Sequence, residues 1–320
     1  MQQSNIRDQA PSMTLLFVSS TDNADAWRAE LARRLPDLEF RVWPDMGDPA
    51  DVTYALVWKP PPGLLASLPN LKAILSLGAG VEPLLKDPTL PAAPLVRMVA
   101  EGLTVDMAAY VVLQVLRWQR KLDDYATQQH AGVWKQLGHR PASEVRVGIL
   151  GLGVLGESAA RALLPLGFDV AGWSRTPKDL PGVETLHGDD GLVALLARSD
   201  FLVCLLPLTP QTQGILDARL FATLPRGAVV INAARGGHLV EADLLAALDS
   251  GHLAGASLDV FAEEPLPPDH PFWQHPRVYV TPHVAGITHP SRSADHVADA
   301  IRRAEAGQPL LHVVDRTQGY

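Results

Sequence analysis

The chain has 320 residues, of which 47 % are hydrophobic and 19 % are charged. This balance is typical of a globular protein and excludes an intrinsically disordered chain. The formal net charge of −8 argues against a general nucleic-acid-binding protein, although it leaves room for a local basic pocket that binds a phosphate. At roughly 150 residues per domain, the length predicts two domains.

The sequence contains few features that bear on location or redox state. Its one cysteine, Cys204, rules out a disulfide within the chain, and the apolar segment around it indicates a core residue rather than a nucleophile. No segment reaches the ~18 apolar residues of a membrane span, and the N-terminal segment does not fit a signal peptide. We therefore expect a cytoplasmic protein that binds neither membrane nor nucleic acid.

The first third of the chain alternates short apolar segments with polar or helical stretches. Such apolar segments, bounded by turn residues, predict buried strands at Met13–Val18, Leu38–Trp43, Tyr54–Trp58, Ala73–Leu77 and Leu95–Met98. Apolar residues at helical spacing predict a helix over Ala24–Leu35. This alternation favours an α/β domain with a mainly parallel sheet.

A long helix is predicted over about Thr104–Gln129. Its apolar positions fit a 3.6-residue period and comprise Val105, Ala108, Ala109, Val112, Val115, Leu116 and Leu122. The polar segment His139–Ala142 follows, and six further strands are predicted at Val145–Leu150, Phe168–Trp173, Phe201–Leu205, Ala228–Asn232, Ala254–Val260 and Val278–Thr281. Six strands with crossovers of this length suit a doubly wound dinucleotide-binding domain.

One more helix, predicted over Pro290–Ala306, follows the last strand. We expect this helix to return to the first domain, so that the chain crosses the domain boundary twice. The predicted domains are residues 1–103 with 285–320, a substrate and catalytic domain, and residues 104–284, a dinucleotide-binding domain.

A glycine-rich turn follows the first strand of the second domain. The segment Gly151-Leu152-Gly153-Val154-Leu155-Gly156 has the pattern G-x-G-x-x-G between a strand and a helix, the context that makes this pattern specific. Such a turn brings backbone N–H groups and a helix N-terminus to a pyrophosphate. We expect Gly151, Gly153, Leu155 and Gly156 to bind the cofactor; the alternative is a glycine turn without a ligand.

The end of the next strand bears on which dinucleotide is bound. The segment Gly172–Lys178 has no acidic residue to accept the ribose hydroxyl of NAD, and instead offers Ser174, Arg175, Thr176 and Lys178. Because an arginine can grip a 2′-phosphate through two charge-assisted hydrogen bonds, the segment favours NADPH over NADH. The alternative is that both cations are ordinary surface charges.

Three later segments, each after a strand, contain an arginine, carboxylates and a histidine: Asn232–Gly237, Leu258–Leu266 and Thr281–Gly286. Open α/β sheets bind ligands at the carboxyl ends of their strands. An arginine can bind the carboxylate of a 2-oxo acid, a histidine can donate a proton to its carbonyl oxygen, and a carboxylate can hold the histidine tautomer. Each residue alone could equally be a solvated surface group.

These segments resemble the D-isomer-specific 2-hydroxyacid dehydrogenase family over nearly the whole chain. Within the family the sequence resembles the glyoxylate/hydroxypyruvate reductase A group, on the segments Tyr54–Pro61, Leu77–Val81, Trp173–Arg175, Leu244–Gly251 and Trp273–Val278. The resemblance implies two doubly wound parallel-sheet domains, a Rossmann cofactor domain and a flavodoxin-like substrate domain. It also implies reduction of a small 2-oxo acid such as glyoxylate or hydroxypyruvate, NADPH as cofactor with NADH weaker, and a homodimer.

The resemblance also implies roles for individual residues. Arg235 would bind and polarise the 2-oxo acid, His283 would be the acid/base, and Glu264, which directly precedes a proline, would pair with His283 in preference to Glu263. Asp259 would hold the nicotinamide carboxamide or else cap local backbone. On the substrate side, the backbone at Ala79 and Gly80 would bind the substrate carboxylate, and Trp58 would line the pocket.

The segment Met98–Asp106 departs from the reductase group, which leaves the side chain of the substrate open. Two alternatives therefore stand beside the main hypothesis: a dehydrogenase for another 2-oxo acid, and a catalytically weak module that senses NAD(P). No group of histidine, cysteine and acidic residues has the spacing of metal ligands, so we expect no metal site.

Overall fold

The computed structural model describes residues 13–317 of the chain. The outermost parts of the first predicted domain, residues 1–12 and 318–320, lie outside the described residues. The chain divides into two compact units. The first unit contains the described residues through Gly102 together with those from Thr288 onward, and the second unit is Leu103–Ile287.

The strands, in chain order, are β1 (Thr14–Val18), β2 (Glu39–Val42), β3 (Tyr54–Val57), β4 (Ala73–Ser76), β5 (Leu95–Val96), β6 (Arg146–Leu150), β7 (Asp169–Ser174), β8 (Glu184–His187), β9 (Phe201–Cys204), β10 (Ala228–Asn232), β11 (Leu253–Leu258) and β12 (Val278–Val280). The α-helices are α1 (Ala24–Arg34), α2 (Glu82–Leu85), α3 (Glu101–Gln119), α4 (Leu122–His130), α5 (Val154–Leu163), α6 (Gly188–Arg198), α7 (Ala218–Thr223), α8 (Glu241–Asp249) and α9 (Pro290–Glu305). None of the helices in this part of the chain is long and apolar enough to cross a membrane.

The sheet of the first unit is parallel, with the strand order β2-β1-β3-β4-β5. This is the flavodoxin-like order that the family resemblance implies. Helix α1 begins at Asn23, whose side chain accepts the N–H of Ala26 and so caps the helix. It buries Trp27 and Leu31, one turn apart, on the same face. Helix α9 packs against α1.

The sheet of the second unit is also parallel, with the order β12-β11-β10-β9-β6-β7-β8. Strands β6 to β12 without β8 are the six that the apolar pattern predicts, and they form a Rossmann-type arrangement. The pattern misses β8. This strand lies at the sheet edge, and its four residues, Glu-Thr-Leu-His, are half-buried or exposed. Because no residue of the strand has to be buried, its sequence contains no apolar run that would predict a strand. The predicted fold class, two doubly wound parallel-sheet domains, is confirmed.

The prediction of one long helix over residues 104–129 is wrong. Two helices, α3 and α4, are separated at Arg120 and Lys121, and Lys121 takes the left-handed conformation with φ of 56°. The predicted apolar face is also partly wrong, because Val105 and Leu122 are 45 % and 50 % exposed. Ala108 and Val115 are buried as predicted, and the other residues of α3 that are buried include Met107, Tyr110, Val111 and Gln114.

Apolar strand residues on both faces of the second sheet form its core. Cys204, at the end of β9, is fully buried there, and burial raises the pKa of its thiol to about 12. Because the thiolate is the reactive form, this cysteine is an inert core residue at neutral pH.

Candidate active site

The strand register of the second sheet aligns the segments that were predicted to carry chemistry. Leu150 pairs with Cys204, Cys204 with Asn232, Asn232 with Leu258, and Leu258 with Val280. These residues end β6, β9, β10, β11 and β12, so the chain leaves all five strands at one edge of the sheet. The glycine turn and the three segments with arginine, carboxylate and histidine therefore emerge side by side.

The glycine turn connects β6 to α5, and each glycine has a different reason to be there. Gly151 has φ of 101°, and Gly156 packs so closely that an added Cβ would lie 1.8 Å from the carbonyl oxygen of Gly151. At Gly153, which precedes the first turn of α5, an added Cβ would meet nothing within 4 Å. The open space at Gly153, beside the N–H groups of a helix N-terminus, fits the pyrophosphate of a dinucleotide.

The residues predicted to select the cofactor lie at the end of β7. Ser174 is its last residue and donates from its hydroxyl to the carbonyl oxygen of Thr176, at 2.8 Å. Arg175, Thr176 and Lys178 follow and are exposed. The hydrogen bond of Ser174 shapes this turn and leaves two cationic side chains at the surface next to the glycine turn, because β6 and β7 are adjacent.

Arg235 lies in a tight turn after β10 that buried polar groups hold. The Asn232 side chain brackets the turn: its Oδ1 accepts the N–H of Ala234 at 3.2 Å, and its Nδ2 donates to the carbonyl oxygen of Arg235 at 3.1 Å. His238 is fully buried, with ring nitrogens 3.1 Å from the Arg235 carbonyl oxygen and 3.2 Å from that of Pro207. The backbone that carries the guanidinium is thus fixed on two sides.

The turn of Arg235 packs directly on the segment that carries Glu264. An added Cβ on Gly236 would lie 1.9 Å from the carbonyl carbon of Phe261, so only glycine allows this approach. Glu264 Oε1 accepts the N–H of Phe261 at 3.2 Å, and Glu264 Oε2 lies 2.9 Å from His283 Nδ1. The predicted carboxylate–histidine pair is therefore formed, whereas Glu263 is exposed.

His283 has an unusual backbone conformation. Its φ is 55°, in the left-handed region that costs a non-glycine residue about 1–2 kcal/mol. Its N–H donates to the carbonyl oxygens of Asp259 and Thr281, at 2.8 and 3.0 Å. At roughly 0.5–1.5 kcal/mol for each hydrogen bond, these contacts are of the right size to hold the strained residue in place.

Asp259 is 1 % exposed and makes most of its hydrogen bonds to the segment around His283. Its Oδ1 accepts from the Thr281 hydroxyl at 2.6 Å and from the N–H of Val284 at 2.9 Å, and its Oδ2 accepts from the N–H of Ala285 at 2.8 Å. Burial raises the pKa of the Asp259 carboxyl, although these hydrogen bonds act in the opposite direction. Of the two predicted roles, the structure shows the local backbone cap. A carboxylate has about four lone-pair sites, so capacity for a cofactor amide remains.

The predicted substrate-side residues belong to the first unit. Ala79 and Gly80 follow β4 in a segment that Ser76 and Thr288 hold: the Ser76 hydroxyl donates to the carbonyl oxygen of Gly78 at 2.9 Å, and that of Thr288 to Leu77 at 2.7 Å. Within residues 13–317, the N–H groups of Ala79 and Gly80 make no hydrogen bond. They are therefore available to an anion.

Trp58 follows β3, and its ring packs on the α-carbon of Gly78. An added Cβ at Gly78 would lie 2.4 Å from the Trp58 ring. Trp58 thus supports the same segment that carries Ala79 and Gly80.

The sequence assigns no role to three residues that shape the second unit's site: Tyr110, Asn232 and Thr281. For Asn232 a local signal exists, because an asparagine at a strand end often accepts an N–H two residues on. Tyr110 offers none, since the group it contacts, the hydroxyl of Thr281, lies 171 residues further along the chain.

Comparison with known proteins gives a consistent result. The family model for the D-isomer specific 2-hydroxyacid dehydrogenase, NAD binding domain, matches residues 112–285. Glyoxylate/hydroxypyruvate reductase A of Yersinia enterocolitica is 46 % identical over 314 residues, which cover 96 % of this chain and 100 % of the relative. The protein of that name from Serratia proteamaculans is also 46 % identical over 314 residues, with the same coverage.

Two solved structures extend the match to three dimensions. A D-isomer specific 2-hydroxyacid dehydrogenase from Xanthobacter autotrophicus, in complex with NADPH and MES, has a TM-score of 0.93 and 46 % identity over 97 % of this chain and 100 % of that one. An NADPH-dependent glyoxylate/hydroxypyruvate reductase from Sinorhizobium meliloti, in complex with NADP and sulfate, has a TM-score of 0.91 and 46 % identity over 96 % of this chain and 100 % of that one. With this fold, these motifs and this identity over nearly its full length, the chain belongs to the D-isomer-specific 2-hydroxyacid dehydrogenase family.

Proposed function

We propose that the protein is an oxidoreductase that reduces small 2-oxo acids, glyoxylate and hydroxypyruvate first, to 2-hydroxy acids with NADPH. The relatives that carry this activity in their names match 96 % of the chain. The observation that carries the proposal is the 2.9 Å contact between Glu264 and His283, formed at the same sheet edge as the glycine turn. A bare nucleotide-binding module has no need of a carboxylate–histidine pair at that place.

Three residues of the second unit, Arg235, Glu264 and His283, each have a distinct role in the proposed reaction. When bound, NADPH supplies the hydride that the carbonyl carbon receives. The Glu264 carboxylate accepts the N–H of His283 Nδ1, which fixes the ring and favours the imidazolium; Nε2 is then the nitrogen that donates a proton to the carbonyl oxygen. Arg235 binds the substrate carboxylate and polarises the carbonyl through its planar guanidinium.

The cofactor fits the residues that the structure presents. The N–H groups at the start of α5 and the open space at Gly153 would hold the pyrophosphate, with Gly151, Leu155 and Gly156 shaping the turn. Ser174, Arg175, Thr176 and Lys178 would bind the 2′-phosphate, since the exposed cations follow β7 without an intervening acid. Asp259 would place its remaining lone pair toward the nicotinamide carboxamide.

The first unit takes the substrate role in this proposal. The unpaired N–H groups of Ala79 and Gly80 are suited to a substrate carboxylate, and Trp58 would line the pocket. We accordingly propose that the first unit is the predicted substrate and catalytic domain, and the second the dinucleotide-binding domain. The cytoplasmic location and the homodimer stay predictions.

Steady-state assays of NADPH oxidation, followed by absorbance, test the proposal with a panel of 2-oxo acids and a His283→Asn control. We expect turnover with glyoxylate and hydroxypyruvate that the control lacks. Turnover restricted to another 2-oxo acid would favour the dehydrogenase of different specificity. Tight NADPH binding without turnover of any 2-oxo acid would contradict the proposal and favour the sensing module.

A further inference from the structure

Three hydrogen-bonded side chains, two buried and one half-buried, lead from α3 to the segment of His283. Tyr110 is 8 % exposed, and its hydroxyl lies 2.7 Å from Thr281 Oγ1. Thr281 Oγ1 in turn donates to Asp259 Oδ1 at 2.6 Å. Neither Tyr110 nor Thr281 is among the residues predicted for the site, and the proposed function gives neither of these hydroxyl groups a role.

The direction of each hydrogen bond follows from the number of protons available. Asp259 accepts from Thr281 and from the N–H groups of Val284 and Ala285, three hydrogen bonds that favour the carboxylate form, in which this side chain only accepts. The single hydroxyl proton of Thr281 is therefore used on Asp259. Tyr110 must then be the donor to Thr281 Oγ1. Burial raises the pKa of the Tyr110 phenol, which keeps this proton in place.

The Asp259 carboxylate holds residues on both sides of His283. It binds Thr281 before the histidine and Val284 and Ala285 after it, while the Asp259 carbonyl oxygen accepts the N–H of His283 itself at 2.8 Å. His283, with φ of 55°, is the strained point of the segment. Loss of one contact would let the backbone relax and turn Nδ1 away from Glu264.

We propose that Tyr110 and Thr281 are positioning residues for the reaction: Tyr110 orients the Thr281 hydroxyl, Thr281 orients Asp259, and Asp259 holds the His283 segment against Glu264. This inference rests on the proposed function, since it concerns the placement of the proton donor. Both residues act through Asp259, and neither is placed in contact with substrate or cofactor.

The test compares four variants by kcat, KM and the dissociation constant of NADPH. Thr281→Val removes the hydroxyl at nearly constant shape, and we expect kcat to fall about 10- to 100-fold, as for a misplaced catalytic group. Thr281→Ser keeps the hydroxyl and should restore kcat to within about 3-fold of the wild type, since the charge-assisted bond to Asp259 is retained. Tyr110→Phe should lower kcat by about 5-fold, the effect of one hydrogen bond. The double variant Tyr110→Phe/Thr281→Val should be no slower than Thr281→Val alone, because Tyr110 acts through Thr281.

A matched control is Tyr54→Phe, which removes another buried tyrosine hydroxyl, bonded to Glu305 at 2.5 Å in the first unit. It should leave kcat unchanged. Multiplicative losses in the double variant, a failure of Thr281→Ser to restore kcat, or an effect on KM alone would overturn the proposal.

The imidazole ¹⁵N resonances of His283, assigned with His283→Asn, give a readout that does not depend on turnover. Thr281→Val should shift them, and Thr281→Ser should not. If the wild type reduces no 2-oxo acid, the proposed function fails, and the positioning role is then judged on these resonances: shifts in Thr281→Val sustain it and their absence overturns it.

Discussion

Glu264 and His283 lie 19 residues apart in the chain, yet Glu264 Oε2 and His283 Nδ1 are 2.9 Å apart. Each residue follows one of two adjacent strands, β11 and β12, whose ends the register aligns. The other carboxylate oxygen, Oε1, accepts the N–H of Phe261, so the turn fixes the carboxylate before it meets the histidine. The pair is thus a property of two neighbouring strand ends and not of a local motif.

His283→Asn removes the proposed proton donor. We expect kcat to fall by about 10²–10⁴-fold, the usual contribution of general acid catalysis, with the dissociation constant of NADPH changed little. Stopped-flow turnover and fluorescence titration with NADPH measure the two quantities. The control is His252→Asn, because His252 directly precedes β11, at the end of the strand opposite to the site, and its Nε2 lies 2.8 Å from the carbonyl oxygen of Phe221. Near-normal turnover of His283→Asn would show that another group is the acid.

Glu264→Gln keeps a hydrogen-bond acceptor next to His283 but loses the negative charge that stabilises an imidazolium. We expect kcat to fall about 10-fold or more, since a charge-assisted hydrogen bond becomes a neutral one. In a His283→Asn background the same change should have almost no further effect, because the carboxylate acts through the histidine. If the losses of kcat in Glu264→Gln and His283→Asn multiplied in the double variant, the carboxylate would act independently of the histidine. Exposed Glu263, changed to Gln, is the matched control.

Gly153→Ala separates cofactor binding from folding. An added Cβ at Gly153 meets no atom within 4 Å, so the thermal midpoint of unfolding should stay within about 2 °C of the wild type. The methyl group would instead fill the space proposed for the pyrophosphate, and the dissociation constant of NADPH should rise about 10-fold or more.

Gly156→Ala is the contrasting variant, because its Cβ would lie 1.8 Å from the Gly151 carbonyl oxygen and must displace the helix. It should lower the thermal midpoint by several degrees. Unchanged NADPH affinity in Gly153→Ala would mean that the pyrophosphate does not approach this glycine.

Arg175→Ala tests the cofactor preference. Loss of a charge-assisted contact to a 2′-phosphate should raise KM for NADPH about 10- to 100-fold and leave KM for NADH nearly the same. Arg161→Ala, on α5, serves as a control, since Arg161 is exposed and pairs with Glu157 at 2.9 Å. Equal effects of Arg175→Ala on both cofactors would remove Arg175 from 2′-phosphate recognition.

Asp200 gives the second unit a pH-dependent contribution to stability. Burial acts to raise the pKa of its carboxyl, but hydrogen bonds from Arg146 and Arg140 outweigh burial and bring the pKa below its ordinary value. A lowered carboxyl pKa stabilises the fold fully above the unfolded pKa of about 3.9, and this contribution is lost as the pH falls through the folded pKa.

Asp200→Asn should therefore lower the free energy of unfolding by about 1–3 kcal/mol at pH 7, the range for hydrogen bonds to charged groups. The difference from the wild type should shrink below about pH 4, where Asp200 of the unfolded wild-type chain takes up a proton before Asp200 of the folded protein does. Urea unfolding at pH 3 and pH 7 measures this difference in the free energy of unfolding. The control is Asp37→Asn, because Asp37 is exposed. A difference that is the same at pH 3 and pH 7 would contradict this origin.

The sequence by itself determines the features that depend on local pattern. Short apolar runs identify the strands of both parallel sheets, since such strands are apolar on both faces. The glycine spacing identifies the turn at Gly151–Gly156, because the backbone conformation of the turn depends on residues that are adjacent in the chain. The residue types that follow the strands indicate the reaction class, and the family resemblance is confirmed.

Only the tertiary structure decides the features that depend on contacts between distant segments. Periodicity does not locate the break at Lys121 or the edge strand β8, since the first depends on backbone conformation and the second carries little apolar signal. The sequence places Glu263 and Glu264 side by side, and the aligned ends of β11 and β12 bring the carboxylate of Glu264 to His283. Tyr110 has no local signal at all, because a hydrogen bond across 171 residues exists only once the helix and the sheet have packed together.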